Sequence, residues 1–368
     1  MQQQRPADYP TLTDYHSYLF NPLEQSGCSL KYSDLVTVWQ IAAGARQSEY
    51  HDLFTRHGLA FVGGGDEERA LCHVQLGDII ALKKGTSKVL AIGKVVERNG
   101  AFSGFGDKDW LNDFDGWSLR AWINVDWRLP EKELSPRGLS RGTILRINKA
   151  DLREKVLESY SLSNPIESVE SEPVATNVVT DEEILNDLIR FGLSPVQAEN
   201  LTAAFVRVRR LARYYRENCR WEDVKEHEAR TFLVTPLLLA LGWSEQQIKI
   251  ELGVKMTSKT GKIDMACFSK PFHVAKDRNC RLLIETKGYA QGLDYAPNQA
   301  KEYAKQFPEA PNLVVTNGYC YKLFVRNGNE YPDAPSAYLN LLNTRDRYPL
   351  DPVRTAGCLE LLRALLPG

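Results

Sequence analysis

Two kinds of apolar pattern divide this chain. Between Leu59 and Asn148 the apolar residues fall in short runs broken by glycine: LAFVGGG, GDIIALKKG, VLAIGKVVERNG, LRAWINVDWRL and GTILRIN. Short runs with turn signals predict strands, and several in series predict a small barrel or a strongly bent sheet. Upstream, DLVTVWQIAAGARQSEYHDLFTRHG carries apolar residues at helical spacing, so residues 1–60 read as mostly helical. Downstream, NKADLREKVLESYS predicts a helix.

The pattern then lapses. Ser161 to Glu183 is rich in Ser, Pro, Val and acid and has no aromatic residue, so it cannot bury enough surface to fold by itself. It predicts a linker. Helical spacing returns at DEEILNDLIRFGLSPVQAENLTAAFVRVRRLARYYRENCR, where Thr180 and Glu183 would form a capping box. WEDVKEHEARTFLVTPLLLALGW predicts a further helix, interrupted at Pro236 and ended near Gly242. Strand-like runs follow in IKIELGVKM, KIDMACFS, RLLIETKG and LVVTNGYCYKLFVRN, with a helix over 297–307 before the last. The order α-β-β-β-α-β predicts an α/β sandwich with a mixed sheet. The expected organisation is an N-terminal α+β domain (1–160), a linker (161–183), a helical connector (184–221) and an α/β domain (222–368).

A length of 368 residues agrees with about two domains. No apolar run approaches the roughly 18 residues of a membrane helix, and MQQQRPADYP lacks the cationic-then-apolar form of a leader. The expected setting is cytoplasmic, with no membrane partner. Seven widely spaced cysteines without a CxxC pair argue against a disulfide framework or a zinc site. The six histidines show no metal spacing, and His51 and His57 read as helix-surface residues. A net charge of −1 leaves nucleic-acid binding open, because clustered basic residues suffice for it.

The candidate chemistry lies in LLIETKG. Strand alternation puts Glu285 and Lys287 on one face. The preceding strand carries Asp264, and pairing of the two strands would set Asp264 beside Glu285. Adjacent carboxylates repel unless a proton or a cation intervenes. Hard oxygen ligands suit Mg²⁺ or Mn²⁺, and a lysine beside such an ion could orient a water or stabilise phosphate charge. An acid-x-Lys triplet alone is weak: DVK at 223–225 is another, in a polar run. From the residues alone, ETK is either a metal site or a strand end whose charges meet water.

Asp264, IETK at 284–287 and QAKEY at 299–303 together resemble the PD-(D/E)XK nuclease superfamily. The Q-x-x-x-Y element is similar to the branch containing the nuclease domains of type I restriction R subunits. EHEARTFLVTPLLLALGW resembles the helix before their core sheet, and IKIELGVKMTSKTGKIDMACF the strand and hairpin leading to the first metal-binding Asp. The likeness covers about residues 222–326, with Ile263 where the superfamily name has Pro. It implies a restriction-endonuclease-like fold in which Asp264, Glu285 and the Thr286 carbonyl hold Mg²⁺ or Mn²⁺. Lys287 would then act beside the attacking water, and Glu226, with Glu228 as an alternate, would support the metal. Gln299 and Tyr303, one helical turn apart, would face the site.

Two further groups point to nucleic acid. Arg209, Arg213, Arg216 and Arg220 recur at helical spacing, as either a phosphate-binding stripe or a solvated helix face. Residues 59–148 loosely resemble PUA-like barrels, several of which bind modified or flipped bases. There Trp117, Trp122 and Asp126 are candidates for stacking on and reading a base, against the plainer reading of a surface strand. The whole predicts a Mg²⁺-dependent DNA endonuclease of a modification-dependent restriction or phage-defence kind. Its expected substrate is double-stranded DNA, modified DNA included, with a homodimer where both strands are cut. A repair or RNA-processing nuclease, or a non-catalytic sensor on the same fold, remains the alternative.

Overall fold

The structure is a computed structural model. It describes residues 36–45, 48–63, 65–105, 121–136, 138–166, 175–218, 224–255, 260–272, 279–289, 293 and 296–367. Thr37–Gly368 forms one compact unit. Within it the buried apolar side chains form two separate clusters, one from Trp39 to Ile144 and one from Val179 to Leu365.

The first cluster is enclosed by a curled mixed sheet. Its elements are β1 (Val38–Ala42), a short hairpin of β2 (Gly44–Ala45) and β3 (Ser48–Glu49), α1 (His51–His57), β4 (Leu59–Val62), α2 (Gly65–Leu71), β5 (Ile79–Lys84), β6 (Lys88–Val95), β7 (Ser103–Phe105), β8 (Ala121–Leu129), β9 (Ile144–Arg146), α3 (Ala150–Ser161) and β10 (Asn164–Pro165). The order is β10-β8-β6-β5-β1-β9. β8 drives the curl. Its first half pairs with β4 and β7, its second half with β6 and β10.

One sequence expectation fails here. Residues 38–42 form a strand, parallel to β5 and antiparallel to β9, rather than a helix. Five residues are too few for the spacing to separate helix from strand. A strand paired on both sides and covered on both faces need not alternate: Val38, Trp39, Gln40 and Ile41 are all buried. Residues 1–35, also expected to be mostly helical, lie outside the described part. Among the described residues the predicted helix survives as α1, and His57, expected at its surface, is buried.

The Gly-Asp turn before β5 has a structural role. Asp78 is buried. Its carboxylate accepts hydrogen bonds from Trp39 Nε1 (2.8 Å), Gln75 N (2.9 Å) and Thr37 N (3.3 Å), which tie the turn to β1. Asp78→Ala strips the acceptor from all three donors and is expected to cost about 3 kcal/mol. Denaturant unfolding of the full chain checks this, and an unchanged midpoint would contradict it.

The second cluster surrounds a six-stranded mixed sheet. The chain runs through α4 (Asp181–Arg190), α5 (Pro195–Asn218), α6 (Glu226–Ala229), a π turn (Arg230–Val234), α7 (Thr235–Ala240), β11 (Ile248–Lys255), β12 (Thr260–Phe268), β13 (Cys280–Thr286), α8 (Ala296–Ala304), β14 (Asn312–Thr316), β15 (Cys320–Val325), β16 (Ala337–Asn340) and α9 (Cys358–Ala364). The strands lie in sequence order. Only β13 and β14 run parallel, and α8 occupies their crossover. The capping box forms as expected: Thr180 Oγ1 accepts from Glu183 N, and Thr180 N donates to Glu183. The interruption expected at Pro236 is the π turn. Proline has no N–H to donate, and the preceding residue, Thr235, bonds instead to Arg230 O, five residues back.

The ends of the expected linker are pinned. Asn164 and Pro165 pair with β8, and Asn177 and Val178 bond to Asp346 and Arg345. Residues 167–174 lie outside the described part. No helix among the described residues is long and apolar enough to cross a membrane.

Candidate active site

The pairing of β12 with β13 sets the geometry. Met265 lies opposite Ile284 and Ala266 opposite Leu283. One more step of that register puts Asp264 opposite Glu285, and opposed residues share a face of the sheet. Thr286 locks the step, since its N–H and its Oγ1 each donate to Asp264 Oδ2 at 2.7 Å.

Two cations complete the cluster. Lys287 Nζ donates to Glu285 Oε1 at 2.8 Å and lies 3.6 Å from Glu226 Oε1. Arg230, buried in the π turn, donates to Asp264 Oδ1 at 3.2 Å and to Glu251 Oε1 at 3.1 Å. Five of the expected residues (Asp264, Glu285, Thr286, Lys287 and Glu226) therefore meet. Glu228 does not join them: its carboxylate caps the helix at Lys225 N.

Burial governs the charges. It pushes the Glu285 carboxyl up to about 7, against the pull of Lys287 and with help from Asp264 and Glu226. Burial by itself would lower the Lys287 ammonium. Glu285, Glu226 and Asp264 outweigh it and hold Lys287 above the ordinary lysine value. Glu285 Oε2 is buried and accepts no hydrogen bond among the described residues.

Behind the site stands a brace that the sequence does not announce. The Lys287 N–H donates to Thr316 O at 2.7 Å. Thr316 begins the TNG turn. Asn317 is fully buried; it donates to Tyr289 O, and its Oδ1 accepts from Cys320 N. Gly318 has φ +100, and a Cβ there would lie 2.5 Å from Leu233 Cδ1. Close approach to the α6–α7 segment and a left-handed backbone both require glycine. T-N-G is a turn signal, but nothing in it says that it faces the strand end bearing Lys287.

Glu251 is a second member of the cluster without a sequence signal. In IKIELGVK it reads as an ordinary outward residue. The β11–β12 register puts it opposite Asp264, between the pairs Ile250–Met265 and Leu252–Ile263. Its φ is +51, uncommon for a side chain other than glycine. Arg230 and Lys262 both hold it, and their bonds, Lys262 first, lower its carboxyl.

Gln299 and Tyr303 bond to each other (Nε2 to the phenol oxygen, 2.9 Å). The Tyr303 ring lies over Gly261, three residues before Asp264; a Cβ on Gly261 would sit 2.5 Å from it. Among the described residues, no hydrogen bond or ion pair joins Gln299 or Tyr303 to Asp264, Glu285 or Lys287.

The residues expected to meet nucleic acid fare unevenly. Arg209 turns inward. It donates to both Asp181 oxygens (2.6 and 2.7 Å) and to Leu341 O, and stacks over Phe205. It is thus a structural tie between α4, α5 and the end of β16, not part of an outward stripe. Arg213 is exposed, while Arg220 and the Arg216 side chain lie outside the described residues, as does Trp117. Trp122 belongs to the core and is 5% exposed, because β4 and β7 flank β8 at that point. It offers no open wall for a stacked base. Asp126 remains partly exposed, 3.7 Å from Arg128.

The donor set fits a hard cation of the Mg²⁺ type. It offers two opposed carboxylates, with an orphaned buried oxygen on one. Among the described residues no group of three or more His, Cys, Asp or Glu side chains is arranged to hold a metal. Mg²⁺ asks for only one or two carboxylates, beside water and phosphate oxygens. Residues 225–333 match the family model described as type I restriction enzyme R protein N terminus (HSDR_N). That span holds every member of the cluster. No match was found among curated proteins or solved structures.

Proposed function

We propose that the chain is a metal-dependent DNA endonuclease of the PD-(D/E)XK type, serving modification-dependent restriction or phage defence. One observation carries this reading: Asp264, Glu285 and Lys287 converge across two paired strands, inside the segment that matches a restriction-enzyme family. Asp264, Glu285 and the Thr286 carbonyl would hold Mg²⁺ or Mn²⁺. The ion, when bound, supplies charge neutralisation at a scissile phosphate.

The other roles belong to the chain. Thr286 fixes the orientation of Asp264 through two hydrogen bonds. Lys287, charged and held between Glu285 and Glu226, presents N–H donors to a nucleophilic water and a phosphate oxygen. Glu226, half-exposed at the start of α6, can accept a proton from that water. Arg230 neutralises the back of Asp264 and spaces it from Glu251. Gln299 and Tyr303 form one bonded unit beside β12 that can steer the backbone of the substrate.

In the same reading, residues 1–160 select the DNA, 161–183 link, 184–221 connect and 222–368 cut. With Trp122 in the core, base reading falls to Asp126 and Trp117. Cutting both strands calls for two such sites, as in a homodimer.

The test is incubation of the full chain with modified and unmodified DNA duplexes and with RNA, without divalent ions and with Mg²⁺ or Mn²⁺. Mg²⁺-dependent cleavage confined to a modified duplex is expected. Cleavage of RNA alone would favour the processing nuclease. Binding with no cleavage under any divalent ion would favour a sensor built on the same fold.

A further inference from the structure

The expected stripe on α5 breaks at Arg209, but a different set of arginines on that helix faces outward. Arg207, Arg210 and Arg213 are all exposed, and none forms an ion pair with another described residue. At three-residue intervals they share one side of the helix. Val206 and Tyr214, 61% and 52% exposed, lie on that side too. Arg209 is turned away from it by its fork on Asp181.

The position of this face relative to the candidate site is fixed by Tyr289. Tyr289 follows Lys287 by two residues, which limits their separation to about 7 Å of chain. Its hydroxyl donates to Ala212 O at 2.5 Å, and its ring meets that of Tyr215 edge-on at 5.6 Å. Its N–H donates to Val224 O, just before Glu226. One buried tyrosine thus clamps the C-terminal half of α5 to the loop leaving Lys287 and to the segment entering α6. Arg213, one residue beyond the clamped Ala212, is turned about 100° from it, toward the exposed side of the helix.

We infer that the Arg207–Arg210–Arg213 face of α5 is the surface on which this chain seats the phosphate backbone of duplex DNA next to the cleavage site. The inference rests on the nuclease reading above. The three arginines span about 9 Å of helix, the axial length of two to three nucleotides at roughly 3.4 Å each. Guanidinium groups suit phosphate oxygens because they donate in a fixed fork. Exposure leaves these three free to adapt, whereas Arg209 is committed to the fold. Tyr289 makes the surface act with the site: a backbone seated on α5 is held at a set distance from Lys287. Interactions of this kind position DNA without reading its sequence.

The experiment uses the full chain and a short unmodified duplex without divalent ions, with affinity measured over a range of salt. The triple variant Arg207→Gln, Arg210→Gln, Arg213→Gln is expected to lower the slope of log affinity on log salt by about 2–3, near 0.9 for each phosphate left without its arginine. Lysine at the same three positions is expected to restore most of the slope. Arg209→Gln is expected to lower the unfolding midpoint and leave the slope as it was. A glutamine triple variant with the wild-type slope overturns the surface, and so does a wild-type protein that binds no duplex. If the wild type cleaves while the triple variant keeps its slope, the nuclease reading stands without this surface. If the slope falls as expected but the wild type never cleaves, the surface stands and the nuclease reading fails.

Discussion

Lys287→Ala and Asp264→Ala proteins are expected to remain folded, to bind DNA and to lose cleavage by a factor on the order of 10³ or more. In the proposed function the two residues act on the same charge: Lys287 would put a donor where negative charge develops, and Asp264 would hold the neutralising ion. Neither change opens an apolar cavity. Lys287→Ala leaves Glu285 buried without its nearest cation, and that carboxyl can respond by binding a proton, since it already titrates near 7. Asp264→Ala removes the acceptor of Thr286 N, a loss of about 1–3 kcal/mol, and leaves Arg230 paired with Glu251. Circular dichroism and salt-dependent binding separate a dead site from a lost fold. A variant of either kind that folds and cuts at the wild-type rate would sink the assignment.

The contribution of Glu285 to stability is expected to fall between about pH 4.5 and pH 7. Its folded-state carboxyl is raised by burial from 4.5 to about 7. In that window the folded chain holds a proton that the unfolded chain has released, so folding takes up a proton and weakens as pH rises. The contribution is fully present below 4.5 and lost above about 7. Two and a half pH units at 1.36 kcal/mol each come to about 3 kcal/mol. The Glu285→Gln protein lacks this titration. The difference in unfolding free energy, wild type minus variant, should therefore decline across the window at up to about 1.4 kcal/mol per pH unit. Denaturant titrations of both proteins at several pH values give that difference, and parallel curves would show that Glu285 titrates in the ordinary carboxylate range. Activity runs the other way. A site that needs the Glu285 carboxylate ionised gains rate as pH rises toward neutrality.

The parts of the site legible in sequence are those encoded locally. The parity of a strand puts Glu285 and Lys287 on one face, and the spacing of two strands brings in Asp264. Both follow from neighbouring residues. What escapes a sequence depends on partners far along the chain. Glu251 looks like any solvent-facing residue of an amphipathic strand until Arg230 reaches it, and only a left-handed backbone turns it there. The TNG turn reads as a turn, and its hold on Lys287 and Tyr289 exists only once β13 and β14 pair in parallel. Arg209 and Arg213 are equivalent in spacing, and a single carboxylate on a neighbouring helix, Asp181, separates them. The N-terminal half is the harder to read for a related reason. Val38–Ile41 is buried on both sides, so its residues carry no alternation to mark it as a strand. Trp122, on a face that alternation alone leaves open, is closed off by β4 and β7.

The π turn at Arg230–Val234 sets the phase of one helix against itself. Each residue of an α-helix advances the side chain by about 100°, and a π turn takes one residue more than an α turn to come round. The residues upstream of it are thus rotated, by about one residue's worth, from where an unbroken helix would put them. Downstream, Leu237, Leu238 and Leu241 keep the orientation that the core demands. Upstream, Glu226 meets the lysine of the sheet, and Arg230, the first residue of the turn, meets the carboxylates. An unbroken helix could satisfy one requirement or the other. By miscounting once, at the residue before a proline that cannot donate, the helix packs with one half and reaches the site with the other.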